Sequence, residues 1–176
     1  MNHVLFLFFA IAQAVAGDHR LSAFGRYAGY SRAEYDGWQR SSFFIAVRDG
    51  TRLACDLFRP TLEGKLATRK LPLVWTHHRY QRCVREGGRE RTILDIYPHL
   101  TTLLAHGYLV AAVDVRGSGA SFGVWRGLFH DDETRDARDV IEWFAAQDFC
   151  DGNIGMFGSS YLGGDEFWRR ASRRRT

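Results

Sequence analysis

The sequence predicts an α/β fold built on a parallel sheet, and three observations lead to this prediction. Apolar runs of strand length alternate along the chain with longer segments of helical periodicity. Two of the runs, LPLVWTH and YLVAAVDV, are apolar almost throughout, as expected for strands buried on both faces. The 176 residues are 45% hydrophobic and 25% charged, which is typical of a soluble globular protein. Alternating strands and helices predict a parallel sheet covered by helices.

The first predicted elements are two strands joined by a tight turn. Apolar runs near Ser42–Val47 and Leu53–Phe58 flank an Asp-Gly dipeptide, which is a strong signal for a β-hairpin. Pro60 is expected to end the second strand, because proline cannot donate to a sheet ladder. Residues 17–41 precede the hairpin and are polar and glycine-containing, so they predict an irregular N-terminal arm.

The following elements alternate between strand and helix. LPLVWTH predicts the third strand, YLVAAVDVRG the fourth and GNIGMFG the fifth. Between the third and fourth strands, Leu100, Leu103 and Leu104 share one helical face, and Gly107 is positioned to end that helix. The segment DDETRDARDVIEWFAAQ predicts a second helix, with acidic residues in the first turn where the helix dipole favours them. Ligands of such sheets bind at the carboxyl ends of the strands, so the loops there form the candidate site.

The loop after the fifth strand carries a candidate nucleophile. In IGMFGSSYLGG, Ser160 follows Gly158 by two positions, and a serine hydrolase holds its nucleophile on such a strand-to-helix turn with small flanking residues. Leu162 stands where the usual pattern has a second glycine, and Ser159 is the competing serine. The helix start beyond the turn offers backbone N–H groups for an oxyanion. A plain glycine-rich turn is the alternative interpretation.

Two further loops follow strands at the same predicted end of the sheet. In THHRYQR, Tyr80 carries a phenol O–H that can donate to a developing negative charge. His77 and His78 are weaker candidates for a catalytic base, because histidines at strand ends are more often structural. The loop DVRGSGASFG is expected to shape the wall of the cleft, since it matches no nucleotide-binding fingerprint. Within it, Asp114 and Arg116 are expected to form a structural ion pair.

Charge and cysteine content exclude several classes of function. The formal net charge is +4, but five arginines of the terminal WRRASRRRT supply it, and without them the charge is 4 − 5 = −1. A basic tail can bind nucleic acid or anionic lipid, but no nucleic-acid-binding motif accompanies it, so neither nucleic acid nor a membrane is expected as a partner. Cys55, Cys83 and Cys150 lack metal-ligand spacing; one disulfide with a free thiol and three separate thiols both remain open. No cofactor and no metal site are expected.

Residues 1–16 predict an export signal. A nearly uninterrupted apolar run ends in Ala-Val-Ala before Gly17, which fits a signal-peptide cleavage site. The run is shorter than the roughly 20 residues that a membrane helix needs. The signal predicts a secreted or periplasmic protein, and a buried or interfacial N-terminal helix is the alternative.

Three motifs, in their order and spacing, resemble one protein family. VRDGTRLACDLFRP, DVRGSGASFG and DFCDGNIGMFGSSYLG resemble the cocaine esterase / X-Pro dipeptidyl peptidase family, the CocE/NonD hydrolases, from about Phe43 to Gly163. The resemblance implies an α/β-hydrolase fold that cleaves an ester or amide. It implies Ser160 as the nucleophile, with the Tyr80 hydroxyl and the Tyr161 backbone N–H as the oxyanion hole. The expected substrate is a small-molecule ester or amide or a peptide, of the acyl ester, α-amino-acid ester or X-Pro class.

The sequence departs from the family pattern after the candidate nucleophile. In α/β hydrolases the triad runs Ser, then Asp or Glu, then His, and no histidine follows His130. Residues 42–163 are therefore expected to form the N-terminal half of a hydrolase domain, truncated just after the nucleophile turn. We hypothesise that the arginine-rich tail 164–176 arises from a frameshift or a misplaced stop. The chain alone is expected to be inactive and poorly soluble, and a non-catalytic remnant or binding module that keeps the oxyanion pocket is the alternative.

Overall fold

The structure is a computed structural model that describes residues 31–128 and 130–158. The predicted signal 1–16, most of the arm, Ser160, Tyr161 and the tail 164–176 lie outside these residues. The elements of the described part are β1 Gly37–Ala46, β2 Arg52–Leu62, β3 Lys65–Leu66, β4 Leu71–His78, β5 Cys83–Glu86, β6 Arg89–Thr92, α1 Ile93–Ile96, α2 Leu100–Ala105, β7 Leu109–Asp114, α3 Asp131–Ala145 and β8 Cys150–Met156.

A mixed sheet with the strand order β1-β2-β7-β4-β8 forms the centre of the fold, and β3 pairs with β2 beside it. The pairs β1–β2 and β2–β7 are antiparallel, whereas β4 pairs in parallel with both β7 and β8. The carboxyl ends of β7, β4 and β8 are therefore neighbours at one end of the sheet. This arrangement, with helices on the sheet, confirms the predicted α/β class.

Apolar side chains cover both faces of the sheet. Strand β7 lies between these two apolar layers, which explains why its sequence is apolar from Leu109 to Val113. Ala111 and Val113 belong to a cluster that includes Phe144 of α3. Val110 and Ala112 belong to a second cluster, which includes residues of α1 and α2. Successive side chains of a strand point to opposite faces, so a strand covered on both faces is apolar along its length, here up to its last residue, Asp114.

The β1–β2 turn confirms the predicted hairpin. The Val47 N–H donates to the Thr51 carbonyl at 2.9 Å, and the Asp49 carboxylate accepts from the Thr51 N–H at 3.0 Å. Gly50 has a φ of +79°, in the left-handed region that glycine enters without a Cβ clash. The Asp-Gly dipeptide therefore supplies both the side-chain acceptor and the backbone freedom that the turn uses.

Two predicted boundaries of the hairpin are wrong. Strand β1 begins at Gly37, so the last five residues of the predicted arm 17–41 belong to the sheet. Pro60 does not end β2, which continues to Leu62. The Pro60 carbonyl accepts from the Ala67 N–H at 3.0 Å, so the backbone of this residue faces away from β1. The missing proline N–H therefore removes no bond from the β1–β2 ladder, and the hairpin extends past it.

The end of α2 confirms the role predicted for Gly107. Its φ is +83°, and its N–H donates to the Leu104 carbonyl at 3.0 Å, while the Tyr108 N–H donates to the Leu103 carbonyl at 3.0 Å. These two bonds make a Schellman motif, which satisfies carbonyls that a helix end otherwise leaves unpaired. The chain then turns directly into β7.

Helix α3 confirms the second predicted helix, and Ala137, Val140 and Phe144 are fully buried. Glu133 and Asp136 of the same helix are also buried. The dipole explanation for the acidic first turn is therefore incomplete, because a buried carboxylate also needs cationic partners. At 15 residues α3 is the longest helix in the described part of the chain, where none is long and apolar enough to cross a membrane.

The β5–β6 hairpin was not predicted. Its strands carry no apolar alternation, and their turn is Gly87-Gly88, with φ angles of +58° and +81°, a pair typical of two-residue hairpin turns. Arg40 of β1 pairs with Glu90 of the hairpin at 3.0 Å. Polar contacts thus hold this hairpin against the main sheet. The hairpin could not be predicted from hydrophobic periodicity, because its strands have none.

Candidate active site

Three loops carrying the sequence motifs leave the same end of the sheet. Residues 79–82 follow β4, residues 115–123 follow β7, and Phe157 and Gly158 follow β8. The Phe157 N–H donates to the Trp75 carbonyl at 3.0 Å, so pairing between β4 and β8 extends to the residue before Gly158. Because β4 lies between β7 and β8, the fold brings these three loops together at one end of the sheet, although they are far apart in sequence.

Tyr80 lies on the segment 79–82, which we call the tyrosine loop. Its side chain is accessible, with 62% of the residue exposed. The ring meets the His78 ring edge-on, with centroids 6.1 Å apart and planes at 81°. The phenol is therefore accessible at the carboxyl end of a central strand, and its role as an oxyanion donor stays a prediction. The predicted nucleophile Ser160 and second donor Tyr161 stay predictions, because they lie outside the described residues.

His77 and His78 are both buried, at 1% and 2% exposure. Within the described residues the His78 Nδ1 has no hydrogen-bond partner. Burial lowers the pKa of His78, and the nearby Asp114 carboxylate opposes this effect. A neutral imidazole sealed from solvent fits the structural interpretation of His78 better than the role of a catalytic base, and the burial of His77 favours the same interpretation.

We expect the protein to lose stability as the pH falls below about 6.5, because the fold keeps His78 neutral. The unfolded imidazole has its ordinary pKa of 6.5, and the folded value is lower, so the unfolded chain binds the proton first. The free energy of unfolding then falls by up to about 1.4 kcal/mol per pH unit. Urea denaturation of His78→Gln across this range should give a flatter pH dependence. An equal slope in His78→Gln and in wild type would contradict this expectation. His99→Gln, at an exposed histidine, is the control variant.

Asp114 is fully buried at the end of β7. The predicted ion pair between Asp114 and Arg116 is wrong. The Asp114 Oδ1 accepts from the Arg82 backbone N–H at 2.6 Å, and its Oδ2 accepts from the Arg82 guanidinium at 2.8 Å. The Ala120 N–H also donates to Oδ2, at 3.0 Å. Arg82 of the tyrosine loop is therefore the cationic partner of Asp114. Residue spacing within the 115–123 loop could not predict this partner, because Arg82 lies outside that loop.

Arg116 instead reaches α3 and the β1–β2 turn. It donates to both carboxylate oxygens of Asp136 at 2.8 Å and to Asp49 at 2.6 Å. The bond to Asp136 raises the pKa of Arg116, and the bond from Arg116 lowers the pKa of Asp49 well below its usual range. This bidentate pair fixes the base of the 115–123 loop to α3.

Arg79 and Trp125 join the tyrosine loop to the start of α3. Arg79 pairs with Glu133, and its guanidinium lies 4.4 Å from the centroid of the Trp125 ring. The Trp125 Nε1–H donates to the same Glu133 carboxylate at 3.1 Å. The contacts that Arg79 and Arg82 make from the tyrosine loop were not predicted. The one available signal was that both flank Tyr80 in THHRYQR.

Exposed apolar side chains border this site. Val124 is 69% exposed, Trp125 46% and Leu128 60%. The contact between Trp125 and Arg79 puts this apolar segment next to the tyrosine loop. This segment follows the loop DVRGSGASFG directly, and the prediction that this loop shapes the wall of a cleft stays a prediction.

The cysteines of the described part are free: Cys55, Cys83 and Cys150. Burial raises the pKa of Cys55 and, to a smaller degree, that of Cys83, so neither is an activated thiolate. Over residues 31–128 and 130–158, no group of three or more His, Cys, Asp or Glu side chains is arranged to hold a metal ion.

The fold and the position of these loops define an α/β hydrolase. Among solved structures, a CocE/NonD family hydrolase from Staphylococcus aureus matches with a TM-score of 0.60 and 22% identity, over 82% of this chain and 30% of that chain. An α/β serine hydrolase without a lid from Xanthomonas campestris matches with a TM-score of 0.54 and 18% identity, over 80% of this chain and 59% of that one. At these identities the likeness shows the fold.

Sequence comparison gives the family. The model of the X-Pro dipeptidyl-peptidase (S15) family matches residues 49–170, which is more than half of the chain. The chain therefore belongs to this family, and its relationship to the CocE/NonD hydrolases is confirmed.

Curated relatives support the assignment. Cocaine esterase from Rhodococcus sp. (strain MB1 Bresler) is 34% identical over 129 residues, covering 70% of this chain and 19% of the relative. A candidate serine esterase from Mycobacterium bovis is 35% identical over 138 residues, covering 73% of this chain and 22% of the relative. The chain thus spans about a fifth of the length of these relatives.

Proposed function

We propose that this chain carries the nucleophile and the oxyanion hole of a serine hydrolase that cleaves an ester or amide through an acyl-enzyme on Ser160. One observation supports this most directly. Tyr80 follows β4, the segment leading to Ser160 follows β8, and these two strands are parallel neighbours. Two groups on adjacent strand ends can act on one carbonyl, as an oxyanion donor and a nucleophile must.

In the proposed reaction, the Ser160 Oγ attacks the substrate carbonyl carbon. The oxygen becomes negative and accepts hydrogen bonds from the Tyr80 hydroxyl and the Tyr161 N–H. Collapse of this intermediate expels the alcohol or amine and leaves the acyl group on Ser160, and water then releases the acid. The exposed apolar residues Val124, Trp125 and Leu128 are proposed to contact an apolar part of the substrate.

The proton of the Ser160 hydroxyl needs an acceptor. His77 and His78 are closed to solvent, and the 176-residue sequence has no histidine after His130. We therefore propose that a polypeptide of these 176 residues has negligible esterase turnover, because losing one triad member costs about 10⁴–10⁶-fold in rate. The alternative is a non-catalytic module that retains the oxyanion pocket.

Chemical rescue tests the proposal. We expect a fluorophosphonate probe to label the 176-residue polypeptide very slowly, and free imidazole to accelerate labelling by supplying the missing base. Ser160→Ala should abolish the imidazole-dependent labelling. Tyr80→Phe should lower its rate by about 10²–10³-fold, since one oxyanion donor is lost. Intact-mass and peptide mass spectrometry give the rate and the labelled residue.

Ser159→Ala is the matched control and should label like the wild type. Labelling that survives Ser160→Ala but disappears in Ser159→Ala would move the nucleophile to Ser159. A folded polypeptide that imidazole never sensitises to the probe would contradict the hydrolase proposal and favour the non-catalytic module.

A further inference from the structure

We infer that Arg82 is a positioning residue, which acts through the buried Asp114 carboxylate to hold Tyr80 in place. The role of Tyr80 rests on the proposed function, but the anchoring of its loop rests on geometry alone. Arg82 follows Tyr80 by two positions, and both its backbone N–H and its guanidinium donate to Asp114, at 2.6 and 2.8 Å. Its Nε also lies 3.2 Å from a carboxylate oxygen of Asp56. One arginine thus hydrogen-bonds the tyrosine loop to Asp114 and places its guanidinium beside Asp56 without a hydrogen bond at Nε. Both carboxylates are fully buried.

Asp114 holds the neighbouring loop with the same carboxylate. Its Oδ2 accepts from the Ala120 N–H at 3.0 Å. Gly119 has a φ of +53°, and a Cβ added to it would lie 2.2 Å from that oxygen. A side chain at this position would displace the carboxylate or the loop, so the glycine permits the close approach. Asp114 therefore couples the tyrosine loop to the loop after β7.

A second anchor holds the other end of the tyrosine loop. Arg79 pairs with the buried Glu133 and lies over the Trp125 ring. Between the anchors, Gln81 has a φ of +71°, a left-handed conformation that is unfavourable for a residue other than glycine. Such a conformation persists where surrounding contacts enforce it. Tyr80 itself is 62% exposed, so an exposed phenol projects from a backbone that is fixed on both sides.

This arrangement is what a preorganised oxyanion donor requires. A hydroxyl that waits in the correct position pays no reorganisation at the moment of reaction, and catalytic groups must be held within about 0.5 Å. Lysine cannot replace Arg82, because a single ammonium cannot span the carboxylates of Asp114 and Asp56 as the guanidinium does. The proposal therefore distinguishes Arg82 from a cation needed only for charge balance.

The test observes Tyr80 directly and needs no turnover. The 176-residue chain is labelled with 3-fluorotyrosine, and ¹⁹F NMR records its seven tyrosines, with Tyr80→Phe identifying the Tyr80 signal. In Arg82→Gln the Arg79 anchor and the backbone N–H bond to Asp114 remain, so we expect the Tyr80 signal to shift toward that of the free amino acid and to narrow, without reaching it. The signals of Tyr35, Tyr97 and Tyr108 should stay in place, which excludes general unfolding. Arg89→Gln, at a side chain that is 80% exposed, is the matched control and should change nothing.

A Tyr80 signal that stays at its wild-type position in folded Arg82→Gln would overturn the inference. If Arg82→Gln unfolds the chain and all tyrosine signals collapse together, the Tyr80 signal is recorded in Arg82→Lys instead. That variant keeps the charge, so a mobile Tyr80 in an otherwise intact protein supports the inference, and a wild-type Tyr80 signal overturns it.

Imidazole-dependent labelling of Ser160 provides a second readout. Arg82→Gln should lower the rate by about 10-fold in the wild-type background and leave it unchanged in Tyr80→Phe, because its effect passes through the phenol. An equal loss in both backgrounds would show that Arg82 acts independently of Tyr80. If labelling fails altogether, the proposed function fails, while the ¹⁹F result still stands on its own.

Discussion

Replacing Asp136 by alanine is expected to lower the free energy of unfolding by about 3–5 kcal/mol, as for other buried ion pairs that lose one partner. Asp136 is fully buried and accepts from Arg116 through both oxygens at 2.8 Å. Arg48 donates to the same carboxylate at 2.8 Å. Without the Asp136 carboxylate, the largely buried Arg116 keeps Asp49 and the Thr51 hydroxyl as side-chain partners, and α3 loses its link to the loop after β7. Urea denaturation followed by circular dichroism measures the loss.

The control lies on the same helix. Glu142 pairs with Arg138 one turn away, and both side chains are mostly exposed, so Glu142→Gln should leave the denaturation midpoint nearly unchanged. A loss below about 1 kcal/mol for Asp136→Ala would mean that water compensates Arg116 in the variant, and the cluster would then contribute little to stability.

Truncating Trp75 to alanine is expected to cost about 3–5 kcal/mol, in the range for large aromatic residues of protein cores. Trp75 is fully buried on β4, with its ring centroid 6.4 Å from that of Phe144 on α3. The substitution would leave a cavity between the sheet and α3, next to β4, the strand that precedes the tyrosine loop. Chemical denaturation monitored by circular dichroism is the measurement, because tryptophan fluorescence changes with the substitution itself.

Trp75→Phe is the matched variant and should cost less than about 1.5 kcal/mol. The Trp75 Nε1–H has no hydrogen-bond partner within the described residues. Phenylalanine keeps an aromatic ring at the site and removes this unpaired donor, which offsets part of the lost packing. Equal losses for the two variants would show that the shape of the indole, rather than burial of an aromatic ring, determines packing against α3.

Elements with a hydrophobic or turn pattern could be predicted from the sequence. The apolar runs of β4 and β7 reflect burial on both faces, and the periodic Ala137, Val140 and Phe144 reflect burial of one helical face. The Asp-Gly turn and Gly107 follow from backbone conformations that glycine favours. The β5–β6 hairpin escaped prediction because its contacts are polar and its position depends on Arg40, far away in the chain.

Polar contacts at the candidate site were less predictable than its loops. Strand ends indicated where Tyr80 would lie, but the expected Asp114–Arg116 pair was wrong, because tertiary folding brings Arg82 to Asp114 and Asp136 to Arg116. Partners 20 or more residues apart carry no spacing signal. The cationic partner of the buried Glu133, Arg79, is likewise far away in the sequence.

The central place of β4 has a consequence for the protein as it leaves the ribosome. β4 pairs on one side with β7 and on the other with β8, and Cys150, where β8 begins, follows His78 by 72 positions. At 5–20 residues per second, translation of that interval takes roughly 4–14 s. For this time the nascent chain presents an unpaired β4 backbone next to apolar side chains, which favours pairing with other chains. The strand that organises the candidate site is therefore also one that benefits from chaperone protection during synthesis.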